Sequence, residues 1–434
     1  MRTSVRNALA AIVVASALLT AGCSSAGTTD TSSGPVNLTF WGWAPNMEKI
    51  VGTWNKANPK IQVTYVKVDA GDAAATKLLT AIKAGSGAPD LMQAEYQKIP
   101  TLVASNALID MSKNVDSGLK SKFSDGVWSS VTLGGNALYG IPQDSGPMMF
   151  YYRKDVFDQM GLTVPKTWDE YATVAKKIHD ADPTKFLGTF SSADAGEFAG
   201  LTQQAGASWW SSKGTSWSVA IDSAPAQKVA SYWGGLVQSG VIDNQPQYTP
   251  AWNKSLADGT QVGWVSAVWA PGVLAGNAPD TAGKWEMAPL PQWDAANPAT
   301  GNWGGSAIGI TTQSKKVDAA AKFDTWLNTS KAAVGQMVSV SGIYPADTDQ
   351  SADALKQPFA FFKNQPDFYV TAAKIASTVK PFTYGPNVNV AYSAFNDEFG
   401  KAAQAKSQAG FVAALKNMQD ITVADLKKSG FTVK

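Results

Sequence analysis

From Val36 onward, hydrophobic positions recur with two different periods. Val36, Leu38 and Phe40 alternate with Asn37, Thr39 and Trp41, the period of a strand. Pro45 and Asn46 then open a helix whose apolar positions Met47, Ile50, Val51 and Trp54 fall at i, i+3, i+4 and i+7 on one face. Asn58-Pro59 stops it. Ile61 to Val68 reads as a second strand, and Thr76 to Ala84 as a helix closed by Gly85-Ser86-Gly87. Pro89-Asp90-Leu91-Met92 enters a third strand. Strands alternating with helices predict an α/β fold with a mainly parallel sheet and helices on both faces. A second α/β region starts near Met148. In it, Thr167-Trp168-Asp169-Glu170 has the spacing of a capping box, and Trp168, Tyr171, Ala175 and Ile178 line one helix face. Glycine-, proline- and aromatic-rich connections run from about Gly206 to Gly305. Ala319 to Leu327 reads as a helix, and the tail from Ser351 onward as mostly helical. There is no internal repeat.

Ahead of this body, Arg2 and Arg6 precede an apolar run from Ala8 to Leu19, which leads into Thr20-Ala21-Gly22-Cys23. A charged start, a short apolar run and small residues before a cut site mark a secretory signal peptide. The run is too short for a membrane span, which needs about 20 apolar residues. Cys23, the single cysteine, looks like the lipidated cysteine of a bacterial lipoprotein, with diacylglycerol supplying the two acyl chains that stable anchoring needs. The domains expected here are the signal at 1–22 and a lipidated flexible tether at 23–35, rich in Ser, Thr and Gly. The remaining body of about 400 residues suits two domains.

Setting Arg2 and Arg6 aside from the 36 basic residues leaves 34 against 34 acidic ones. A body of zero net charge has no basic footprint for nucleic acid. Arg153 is the one arginine beyond the signal, which leaves the body poorly equipped to grip a multiply charged ligand. Tryptophan is abundant, with 16 residues. There is no P-loop spacing and no HExxH, and His179, the single histidine, reads as a solvated helix residue. Metal sites built on His or Cys are excluded, no EF-hand spacing occurs, and no cofactor is implied. A carboxylate pair for glycoside hydrolysis stays open on composition.

Several segments, taken in order, resemble the extracellular solute-binding proteins of bacterial ABC sugar importers, the family that includes the maltose-binding type. They are Thr39-Phe40-Trp41-Gly42-Trp43, Gly87-Ala88-Pro89-Asp90-Leu91, Leu138-Tyr139-Gly140-Ile141-Pro142, Phe150 to Phe157 and Gly161 to Glu170. Leu256-Ala257-Asp258-Gly259 with Val268-Trp269, Trp303-Gly304-Gly305-Ser306 and Gly342-Ile343-Tyr344-Pro345-Ala346 complete the set. Arg153 departs from the pattern, where Asn is common. The resemblance implies a two-lobed periplasmic-binding-protein-like fold of type II, with hinge crossings and a ligand cleft between the lobes. Crossings are expected near Ser145–Met149, Gly304–Ala307 and Ser341–Tyr344. They divide the body into a first lobe of 36–146 and 306–342 and a second of 147–305 and 343–434.

A neutral sugar stacks its C–H faces on aromatic rings and hydrogen-bonds its hydroxyl edges. Trp41 and Trp43 follow the first strand's end, where ligands gather in open α/β sheets, and Gln93, Glu95 and Tyr96 follow the third. The resemblance puts Asp144 at the first crossing and gives Trp269, Trp303, Gly304 and Gly305 family positions. Trp209, Trp210, Trp252 with Asn253, and Tyr344 lie in loops expected to face the cleft. Trp54, Trp168, Trp233 and Trp326 read as core. The expected function is a monomeric, lipid-anchored receptor that hands a neutral oligosaccharide of two, three or more residues to ABC permease subunits, with the ATPase a separate chain. The alternatives are a glycerol-phosphate receptor of the same family, a surface glycoside hydrolase and a passive cell-wall adhesin.

Overall fold

β1 (Val36–Gly42) turns Leu38 and Phe40 into the core and lies between two parallel neighbours, β2 (Ile61–Lys67) and β3 (Leu91–Glu95). The helix Met47–Ala57 buries Met47, Ile50, Val51 and Trp54, the face its periodicity marks. Trp54 there meets Phe323 and Trp326 of the helix Val317–Thr329 edge-on and tilted. The computed structural model describes residues 34–434 apart from 70, 214–215, 348, 350–352 and 357–359. The signal run, Cys23 and nearly all of the tether lie outside the described residues.

Beyond β3 the expectation of a mainly parallel sheet is corrected. β3 pairs antiparallel with β9 (Asn302–Ile310), and β9 pairs antiparallel with the first part of β4 (Ile141–Arg153). The last part of β4 then pairs antiparallel with β7 (Gly263–Ala267) along one edge and β8 (Trp285–Pro289) along the other. The reason is connectivity. β4 carries the chain out of the first half of the sheet and β9 brings it back, so the two run in opposite directions. β4 changes partners between Pro147 and Met148, with irregular register around Ser145. Beside that point the backbone N–H of Ser145 donates to the carbonyl of Tyr344, and Asp144 bridges to Pro345.

The second half carries most of the helices. Thr167 caps the helix Trp168–Ala181 by accepting from the Glu170 N–H at 3.2 Å. Glu170 accepts from the Lys166 N–H rather than from that of Thr167, so the reciprocal arm of the box is displaced by one residue. His179 is not solvated as expected. It is half-buried, stacks on Phe186 at 5.0 Å and sets Nδ1 3.2 Å from the Lys185 carbonyl. A small sheet of β5 (Trp210–Lys213), β6 (Ser216–Val219) and β10 (Thr432–Val433) flanks the helices Val388–Gln404 and Gln408–Lys428. Phe190, Phe198, Phe395, Phe399 and Phe411 interlock beneath those helices.

Candidate ligand-binding cleft

Where β9 faces the irregular stretch of β4 between Ser145 and Pro147, its backbone is not regular either. Gly304 and Gly305 take φ values of 79° and 93°, left-handed angles that suit glycine. A Cβ at Gly305 would also stand 2.7 Å from the Tyr96 ring. These two glycines line a cleft of about 690 Å³, within the size range of small-molecule sites.

One wall is aromatic. Trp303 of β9 meets Trp269, just after β7, edge-to-face at 4.9 Å, and the Trp269 indole N–H donates to the Trp303 carbonyl at 2.8 Å. Tyr248 is 42 % exposed at φ 64° and sits 6.4 Å from Trp303. Buried Trp252 and Trp264 back this wall, 5.4 and 6.4 Å from Tyr248. Behind them, Trp264 donates to Gln247, which donates to the buried Glu197 at 2.9 Å.

A second wall comes from the helix Val388–Gln404. Asn389, Tyr392, Ser393 and Asn396, at i, i+3, i+4 and i+7, face the cleft, while Val388, Ala391, Phe395 and Phe399 are buried. Tyr384, hydrogen-bonded to Tyr392, adds a phenol. Burial pushes both phenols above their ordinary range. The last residue of β3 and the turn after it supply Glu95, Gln97 and Lys98, and Gln97 donates to Glu95 at 2.8 Å. Lys98 Nζ reaches Asn389 Oδ1 at 2.6 Å, and Thr101 Oγ1 donates to the Pro386 carbonyl at 3.0 Å. These two bonds join the first half of the sheet to the C-terminal segment beside the cleft.

Asp194 completes the lining at the start of the helix Ala195–Gln204, accepting from the Gly196 and Glu197 N–H groups at 3.0 and 3.1 Å. Burial pushes its carboxyl up from 3.8 to about 6, against the pull of those N–H groups and of Trp303. Burial, helped by the Asp194 charge, pushes Glu197 well above the carboxylate range. The lining therefore offers flat rings, hydroxyls, amides and carboxylates, with Lys98 its one basic side chain. That mixture of C–H-stacking faces, donors and acceptors suits a polyhydroxylated neutral ring. Among the described residues no cluster of three His, Cys, Asp or Glu could hold a metal ion, and no helix is long and apolar enough to cross a membrane.

Of the residues singled out from the sequence, Glu95, Trp269, Trp303, Gly304 and Gly305 are brought together in this cleft, and Tyr344 lines a neighbouring cavity. The others do not reach it. Trp41 and Trp43 are half-buried against the core, Trp41 with Lys77 Nζ 4.3 Å over its ring. Gln93 is a buried peg. It accepts from the Trp43 and Ala44 N–H groups and donates to Ser306 Oγ. Asp144 bolts β4 to β9 by accepting from the Ser306 N–H at 2.8 Å and from the Ser306 hydroxyl, and burial raises its carboxyl to about 6. Tyr96 donates to the Asp144 carbonyl at 2.7 Å and lies under Gly305.

Trp209, Trp210 and Trp252 are wholly buried, because large indoles beside loops found apolar partners inside. Trp209 packs on Phe198 and Phe382, Trp210 covers Gly385, and Trp252 donates to Thr189 at 3.1 Å. Asn253 is half-buried on the helix Pro250–Asp258, away from the cleft lining. Sequence reasoning missed Asp194, Tyr248 and the polar stripe Asn389–Asn396. The stripe's helical spacing was a usable signal, as was an Asp three residues before a Glu at a helix start.

The structure is a mixed α/β protein with two sheets and a cleft beside the point where β4 changes partners. The chain belongs to the family of bacterial extracellular solute-binding proteins, whose model matches residues 42–334. It is 24 % identical over 417 residues to the arabinooligosaccharide-binding protein of Bacillus subtilis (strain 168), spanning 93 % of this chain and 92 % of that protein. Among solved structures it is similar to the galacto-N-biose-/lacto-N-biose I-binding protein of the ABC transporter from Bifidobacterium longum, in complex with lacto-N-biose. The TM-score there is 0.78 at 29 % identity, over 92 % of this chain and 99 % of that one. It is also similar to the ABC transporter associated binding protein from B. animalis subsp. lactis Bl-04 in complex with β-1,6-galactobiose. That TM-score is 0.77 at 27 % identity, over 92 % of this chain and 100 % of the other. Membership in a solute-binding family sets the hydrolase alternative aside.

Proposed function

We propose that this protein is the lipid-anchored substrate-binding component of a bacterial ABC importer. It captures a neutral oligosaccharide in the cleft and delivers it to permease subunits served by a separate ATPase chain. The observation that carries this reading is the composition of one cleft. Trp269, Trp303 and Tyr248 form a stacking wall, and Asp194, Glu95 and the Asn389–Asn396 stripe provide hydrogen-bonding partners. Lys98, the basic side chain of that lining, is held by Asn389, and no arginine joins it, which disfavours a phosphorylated ligand. Relatives named for arabino-oligosaccharides, lacto-N-biose and galactobiose support the same substrate class.

The lobes in this reading are 36–146 with 306–342, and 147–305 with 343–434, closing as a monomer about the β4 and β9 crossings. A ligand that binds the closed arrangement better shifts the population toward it. Cys23 carries the lipid that holds the body at the outer face of the cell membrane.

A thermal-shift screen of the processed protein against arabino-oligosaccharides, β-galactosides and glycerol phosphates tests the ligand class. A ligand at 100 times its Kd stabilises by about 2.7 kcal/mol. Stabilisation by neutral di- or trisaccharides is expected, and stabilisation by the phosphorylated set alone would refute the reading. For the anchor, Cys23→Ser is expected to move the protein from the membrane fraction to the soluble one.

A further inference from the structure

Tyr248 enters the cleft on a strained backbone. Its φ of 64° is left-handed, a costly setting for a residue with a side chain, which persists only where the surroundings fix it. Both chain neighbours do so. On one side Thr249 caps the helix Pro250–Asp258, accepting from the Trp252 N–H at 3.2 Å. On the other, Gln247 is buried and held by three partners. Its backbone N–H donates to Ser191 Oγ at 3.4 Å, its amide oxygen accepts from the Trp264 indole at 3.2 Å, and its amide nitrogen donates to Glu197 at 2.9 Å. An amide suits this bridge, because it accepts at one end and donates at the other.

Glu197 is itself buried in the helix Ala195–Gln204, and its own N–H donates to Asp194 Oδ1 at 3.1 Å. Its backbone therefore steadies the carboxylate of the cleft while its side chain steadies Gln247. Gln247 does not line the cleft, but the ring that follows it does.

We propose that Gln247 is a positioning residue for sugar recognition. It acts through Tyr248, holding that ring at a fixed place relative to Asp194 and Trp303 before a ligand arrives. The proposal rests on the oligosaccharide reading above and adds to it a residue that never touches the sugar.

Isothermal titration with arabino- and β-galacto-oligosaccharides of two and three residues would compare wild type, Gln247→Met, Tyr248→Ala and the double variant. Gln247→Met keeps the length of the side chain and removes both polar ends. A ligand must then immobilise a loosened Tyr248, so affinity should fall roughly 2- to 10-fold. In the Tyr248→Ala background the same change should cost nothing further, since no ring is left to hold. A merely structural role would instead multiply the two losses, as independent effects do. Multiplied losses, or wild-type affinity in Gln247→Met, would overturn the proposal. If Gln247→Met fails to fold, Trp264→Phe is the milder probe, because it keeps a ring and removes the indole N–H that pins the amide. It too should weaken binding only while Tyr248 is present, and wild-type affinity or a loss that persists in Tyr248→Ala would overturn the proposal. If wild type binds none of these sugars, the oligosaccharide reading falls and this proposal with it, a result distinct from the others.

Discussion

The indole N–H of Trp269 is fixed by the carbonyl of Trp303, and the two rings stand edge-to-face at 4.9 Å. One tryptophan thereby orients the other, and both rings are locked before any ligand arrives. Preorganised aromatic anchors carry a disproportionate share of binding energy, often about 2 kcal/mol or more for a tryptophan. Trp269→Ala is expected to weaken sugar binding by about 30-fold or more. Trp269→Phe keeps a ring but orphans the Trp303 carbonyl, so its loss should be smaller. Calorimetric titration of both variants checks the order.

Asp194 is expected to make binding depend on pH. Its carboxyl titrates near 6 in the folded chain, and the ionised form is the better acceptor for ligand hydroxyls. Affinity should be full above about 7 and decline as pH falls through 6, while Asp194→Asn should give a flat, weaker profile. Fold stability moves the other way for this group. The folded chain holds the proton more tightly than an ordinary carboxyl at 3.8, so the cost of burying the charge is present above about 6 and gone below about 4. Binding isotherms at pH 5 to 8 on both proteins test the profile, and a pH-independent wild type would count against Asp194 as a ligand group.

Thr101 bonds across to Pro386 without lining the cleft. Thr101→Val removes that bond, worth about 0.5–1.5 kcal/mol, from the joined arrangement. Apparent affinity should fall roughly 2- to 10-fold with no change at the sugar contacts. Small-angle scattering should report a more extended ligand-free protein. Unchanged affinity and scattering would mean that the bond does not bias the two halves.

Trp209 distinguishes core from site. Its ring is wholly buried against Phe198 and Phe382. Trp209→Ala should cost about 3–5 kcal/mol of fold stability, while the folded fraction binds sugar as wild type does. Denaturant melts and titration at low temperature separate the two effects. A selective loss of binding with an unchanged melt would return Trp209 to the ligand site.

The opening of the body was legible because its periods were clean. Met47, Ile50, Val51 and Trp54 form the buried face they spell out, β1 falls where alternation puts it, and β2 and β3 lie in the segments expected for the next two strands. What periodicity could not show was strand direction. β4 pairs with β9 along its first part and with β7 and β8 along its last, an exchange of partners that no hydrophobic period records. The cleft was half legible. Trp269, Trp303 and the glycines were recognisable from the order of short segments, whereas Trp209, Trp210 and Trp252 carry the same chemistry and differ only in which way the backbone turns them. Asp194 and the Asn389–Asn396 stripe were missed because a polar helix face normally meets solvent, and only the fold brings this one to the cleft.

The pairing of β3 with β9 joins residues more than two hundred positions apart, Leu91 with Ile310 and Glu95 with Ser306. A chain emerging from its N-terminus can assemble β1, β2 and β3 early. The outer edge of β3 then stays unpaired until residue 310 has appeared, and unpaired edges invite aggregation. The other half waits as well, since its aromatic core draws Phe395, Phe399 and Phe411 from the last helices. The β3 edge and the aromatic core of the last helices each draw on residues far apart in the sequence, so neither can be completed until nearly the whole chain is available, which delays folding. For a chain that must cross a membrane before it works, that delay is an advantage: the polypeptide remains threadable until it is through.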